Sequence, residues 1–101
     1  MKYDGTYEMT SHFGKGLTHP GTLVVQTDGR KITGKAAVPG IKADVEDGIL
    51  DGNHFSFVMR KKIIGKTIEM KVDGTFEEGG SLRAVMNAPF GSSWIEGHKI
   101  S

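Results

Sequence analysis

The second half of this 101-residue chain repeats the first at a spacing of fifty residues, and the repeating unit alternates as β-strands do. Ile32 and Leu82, Pro39 and Pro89, Val45 and Ile95, and Glu46 and Glu96 each stand 50 apart, and Tyr7 and Met9 fall over Phe57 and Met59. A fixed period announces an architecture before any single residue does. Here it predicts two similar sets of antiparallel strands joined in one small barrel or sandwich. No stretch keeps a 3.6-residue apolar period without Gly or Pro interrupting it, so almost no helix is expected.

Fifteen glycines are too many for a helical domain, and their placement explains them. Asp28-Gly29, Asp47-Gly48, Asp51-Gly52-Asn53 and Gly79-Gly80 lie between alternating runs and read as hairpin turns, where glycine accepts positive φ without a Cβ clash. Strands are then expected at about 3–12, 21–28, 31–38, 41–47, 54–62, 66–76, 81–88 and 93–100. Residues 13–20 read as an exposed loop or wide hairpin end. Alternation points Tyr7, Met9, Leu23, Val25, Ile32, Val38, Ile41 and Val45 inward from the first half. The second half supplies Phe55, Phe57, Met59, Ile68, Met70, Val72, Phe76, Leu82, Ala84 and Met86.

Eight short strands leave two edges to hide, and closure into an up-and-down barrel removes both. The fold expected is an all-β, eight-stranded antiparallel barrel, a single domain over residues 1–101. Such a barrel has room for its own side chains or for one small ligand. Gly34, Ala36, Ala43, Gly74, Ala84 and Ala88 share the inward phase, so the lining alternates large with very small. Two interiors stay open: a cavity, or a centre filled by Phe55, Phe57, Phe76 and the methionines.

The chemistry of the chain excludes more than it offers. Thirteen basic and twelve acidic residues are interspersed and leave a net charge of +1. Nucleic-acid binding needs clustered Lys and Arg, so no nucleic-acid partner is expected. The one basic run, Arg60-Lys61-Lys62, reads as a solvated strand end. There is no cysteine, and His12, His19, His54 and His98 fall in no metal-ligand spacing. A Gly-x-Ser-x-Gly elbow is missing, and Gly14-Lys15-Gly16 has no following helix to cradle phosphate. Glu69, Asp73, Glu77, Glu78, Glu96 and Arg83 fall on the outward phase or in turns. No catalytic residue, metal or cofactor is therefore expected, and the protein is read as something other than an enzyme. The N-terminus carries no apolar signal region, and nothing approaches the roughly 20 apolar residues of a membrane-spanning helix. A cytoplasmic protein without a membrane partner is the expectation.

The opening Gly5-Thr6-Tyr7, with the later run Thr27-Asp28-Gly29-Arg30-Lys31-Ile32-Thr33-Gly34-Lys35, resembles the start of calycin barrels, the lipocalin and streptavidin group. Those barrels often open with Gly-x-Trp, where Tyr7 stands here, and continue through a turn into a Leu-Thr-Gly strand. The likeness covers roughly the first 35 residues. It implies an up-and-down barrel with an open mouth and a ligand inside, and it carries no catalytic residue across.

The functional expectation is a non-catalytic binding module for a small, mostly apolar molecule inside the barrel. Tyr7, Ser11 and Thr27 are the inward residues able to supply orienting polar groups. The alternative is an interaction or accessory domain with a filled barrel and a working outer surface. For that reading Trp94, Val24, Val58 and Val85 fall on the outward phase, and they define the expected contact surface of a homodimer or another partner.

Overall fold

The computed structural model describes residues 3–38, 41–89 and 91–101, without the side chains of Ile41 and Ile63. Eight strands follow in chain order: β1 Gly5–His12, β2 Thr18–Asp28, β3 Lys31–Val38, β4 Ile41–Asp51, β5 His54–Ile63, β6 Lys66–Phe76, β7 Ser81–Ala88 and β8 Gly91–Lys99. Each pairs antiparallel with its neighbours, and β1 closes the sheet on β8 from Tyr7 opposite Lys99 to His12 opposite Trp94. Closure leaves no unpaired edge. Among the described residues the helical content is two 3₁₀ turns of three residues, Gly14–Gly16 and Glu78–Gly80.

Most boundaries agree with the sequence expectation to within two residues, and the two that differ by more do so for a local reason. β2 begins at Thr18 rather than 21, because Thr18, His19 and Pro20 continue the ladder opposite His12, Ser11 and Thr10. Only residues 13–17 remain as the connection. The second difference is at Asp47-Gly48, which is not a hairpin turn but a bulge inside β4. Asp47 has φ of 51°, and the register with β5 shifts between Glu46 and Ile49. Gly48 lies against the Ile32 carbonyl oxygen, too close for any Cβ. The chain reverses only at Gly52-Asn53.

That bulge changes which side chains face inward. An extra residue on one strand shifts the alternation, so Val45 and Leu50 are both buried although five positions separate them. Leu50 is a core residue that strict alternation from Val45 sends to solvent, and Ile49 becomes exposed instead. Of the expected core, Val38, Met59 and Ile68 are half-buried rather than buried. Pro39 and the Ile41 side chain lie outside the described residues.

The fifty-residue spacing has a structural counterpart in two four-stranded halves, β1–β4 and β5–β8. Ile32 on β3 and Leu82 on β7 are 2% and 1% exposed. Truncating either to alanine removes the same kind of contact from a close-packed wall, and each substitution is expected to cost about 2–5 kcal/mol in chemical denaturation. A cost below about 1 kcal/mol at one site would contradict the equivalence of the halves.

Candidate functional site

The two ends of the barrel are built from different side chains. At the end where β2 turns into β3, Phe76 carries three rings: Tyr3 stacks on it at 4.5 Å, Phe55 lies at 4.6 Å and Tyr7 at 5.6 Å between centroids. Phe57 continues the group, 5.9 Å from Phe55. Such ring pairs add to the area they bury. Gly74 makes room for them, since a Cβ there would stand 2.7 Å from both Phe55 Cζ and Ala84 Cβ.

The N-terminal segment is tied down over this end. The Tyr7 hydroxyl donates to the Tyr3 carbonyl oxygen at 2.9 Å, and burial pushes the phenol's pKa up, keeping it a neutral donor. Asp4 Oδ1 accepts from Thr27 twice, from the backbone N–H at 2.9 Å and the hydroxyl at 2.6 Å. The Thr27 hydroxyl is the main reason the Asp4 carboxyl lies below its ordinary pKa. Tyr7 and Thr27 are thus placed together at this closed end, with their hydroxyls in internal hydrogen bonds.

Among the described residues, the opposite end is hollow. A cavity of about 240 Å³ is lined by Met9, Met59, Met70 and Met86, with Ala36, Ala43, Val38 and Ile95 between them and Phe13 and His19 at the rim. Four of the chain's five methionines meet here. Phe13 meets the His19 imidazole edge-on at 5.1 Å. The repeat is visible in the lining, because Met9 matches Met59 and Ala36 matches Met86 at the fifty-residue spacing. Where the second half carries the long thioether, the first carries only a methyl, and space is left over.

Ser11 is the polar side chain of this wall set among its apolar residues, and it is 5% exposed. It stands four residues from Tyr7 on β1, so the structure separates Ser11 from Tyr7 and Thr27. Ser93, on β8, is buried to the same degree. Its cross-strand partner Met86 and its strand neighbour Ile95 both line the cavity. Its Oγ is buried without a hydrogen-bond partner. Ser93 shares the inward phase of Ile95, the one sequence signal that could have singled it out.

The outer surface is arranged in rows set by the register. Ile49, Ser56, Asp73, Val85, Trp94 and His12 follow one another across six strands. Trp94 is 49% exposed and faces outward, with its indole stacked on the His12 imidazole at 3.8 Å. Trp94 and Val85 are therefore neighbours over a shallow groove of about 650 Å³ that also includes Ile49, Asp73 and Arg83. Val58, half-buried, sits in a different row between Glu46 and Lys71. Val24 lies on β2 between Thr6 and Lys35. The four residues thus do not form one patch, and Asp73 and Ser56 separate Ile49 from the Val85–Trp94 pair. Among the described residues no group of three or more His, Asp or Glu could hold a metal ion.

A buried hydroxyl without a partner costs stability that an apolar replacement of similar shape recovers. Ser93→Ala is accordingly expected to raise the unfolding free energy by about 1 kcal/mol in urea titrations. A loss of stability on that substitution would show that the hydroxyl is satisfied.

Neither a protein-family model nor a curated protein sequence matches the chain. Its fold, in contrast, has solved counterparts. A redesigned β-barrel superposes with a TM-score of 0.69 at 11% identity, covering 98% of this chain and 91% of that one. The redesigned β-barrel mFAP1, bound to DFHBI, gives 0.65 at 11% identity over 97% of this chain and 94% of its own. A mutant of the fluorescent protein UnaG gives 0.57 at 17% identity over 99% and 97%. At these identities the likeness establishes the fold: a small, closed, eight-stranded antiparallel β-barrel.

Proposed function

We propose that this protein is a calycin-like, non-catalytic binding module that holds one small, mostly apolar molecule in the methionine-lined half of its barrel. The observation that carries the reading is the cavity of about 240 Å³, walled by thioethers and aliphatic groups and provided with a single serine hydroxyl, Ser11, among them. Binding sites for small molecules have this make-up, a mostly apolar concavity with a few polar groups. An apolar void of about 150 Å³ already takes up benzene. At ordinary packing density, 240 Å³ has room for a molecule of about ten non-hydrogen atoms.

The reading also gives a reason for the contrast between the ends. The ring cluster around Phe76 stops a ligand from passing through, while methionines adapt their rotamers to what enters. The mFAP1 barrel, similar in fold, is seen with DFHBI bound, which supports a ligand role for this architecture.

The test pairs the natural protein with a filled variant. Naphthalene, a neutral apolar molecule of about ten non-hydrogen atoms, is expected to raise the melting temperature, and increasingly so as its concentration exceeds its dissociation constant. Ala36→Phe, which places a ring in the void, is expected to remove that shift while the variant itself melts no lower than the parent. Native mass spectrometry of protein taken from cells is expected to show a retained small molecule. No retained mass, together with no melting shift from naphthalene, would contradict the proposal.

A further inference from the structure

The lining of the cavity says more about its occupant than that it is apolar. Among the described residues no lysine or arginine lines the cavity, and the one titratable side chain, His19, stands at the rim rather than among the thioethers. A carboxylate drawn inside would be buried without a counter-charge, which is costly. The occupant is therefore uncharged. Its shape follows from the floor. The cavity takes up one end of the barrel, and the ring cluster of Tyr3, Tyr7, Phe55 and Phe76 closes the other, so an extended chain has no tunnel to lie in. A compact molecule fits where a long one does not.

The thioethers select among compact molecules. Met9, Met59, Met70 and Met86 reach the cavity from β1, β5, β6 and β7, so sulfur atoms approach it from several sides. Sulfur lying against an aromatic ring makes a favourable contact that a saturated ring of the same skeleton does not receive. Unbranched side chains also close on a flat disc more readily than Val or Ile, whose χ1 is stiff. The polar provision is small: the Ser11 hydroxyl in the wall, with Ser93 beside Met86. That is enough for one hydrogen-bonding group on the ligand.

Resting on the binding role proposed above, we infer that the occupant is a neutral, planar aromatic molecule with one hydrogen-bonding substituent. The ring lies among the four thioethers and the substituent pairs with Ser11. Acyl-chain carboxylates are excluded by the same geometry.

The test uses probes that share one carbon skeleton: 2-naphthol, its saturated counterpart decahydro-2-naphthol, the anion 2-naphthoate, and naphthalene. Affinities are measured at neutral pH by calorimetry, and the methionine methyl resonances of isotope-labelled protein locate the site. 2-Naphthol is expected to bind at least about tenfold more tightly than decahydro-2-naphthol or 2-naphthoate, and to shift the methyls of Met9, Met59, Met70 and Met86. Ser11→Ala is expected to weaken 2-naphthol about threefold to tenfold and to leave naphthalene unchanged. Equal or tighter binding of decahydro-2-naphthol would overturn the aromatic assignment while leaving a ligand cavity in place. Preference for 2-naphthoate would overturn the neutral assignment in the same way. If no probe binds and no methionine methyl moves, the inference falls together with the cavity reading beneath it.

Discussion

Pairing of β1 with β8 is the constraint on which the rest of the molecule depends, because it fixes the circumference of the sheet. Eight strands enclose a cross-section that side chains can just fill. Once the circumference is set, the volume of inward side chains at each level decides whether that level is solid or empty. Tyr7, Phe55, Phe57 and Phe76 bring enough volume to one end that Gly74 must give way beneath Phe55. Ala36 and Ala43 bring so little to the other that four methionines do not close it. One closed sheet thus holds a packed core and a chamber in series.

The two ends also differ in how firmly they are held. The aromatic end is reinforced from outside by the N-terminal segment, through Asp4 on Thr27 and Tyr3 on Phe76. Further ties come from Asn53, whose side chain donates to the Phe76 carbonyl oxygen at 3.1 Å. At the hollow end four of the lining side chains are methionines, unbranched and able to change rotamer at little cost. Rigidity at one end and adaptability at the other is the division of labour that the proposed binding role needs.

Most of the architecture was legible in the sequence, and the failures have one origin. The fifty-residue period and the Gly-containing turns locate eight strands, because period-two alternation and tight turns are local properties. Alternation fails at Asp47-Gly48, where the dipeptide that makes a hairpin turn elsewhere makes a bulge. Whether such a pair reverses the chain or kinks it depends on the partner strand, here the approach of Ile32 to Gly48. Leu50 is therefore a core residue that lies beyond the strand expected over 41–47, and Ile49 beside it is exposed. The mixture of large and small inward residues was also visible, but not its sorting into two ends. That sorting depends on register between strands distant in sequence, such as Met9 on β1 and Met70 on β6. Ser11, Tyr7 and Thr27 share an inward phase for the same reason that they do not share a site: phase fixes a face, and only register fixes a level.

The central claim is that the barrel is solid at its aromatic end and empty at its methionine end. Diffraction from crystals held under xenon tests it most directly, because xenon enters apolar voids that lack ordered water. Xenon density is predicted among Met9, Met59, Met70 and Met86, beside Ala36, and nowhere within the ring cluster of Tyr7, Phe55 and Phe76. A barrel that takes up no xenon, with the four methionine side chains packed against one another, would contradict the account.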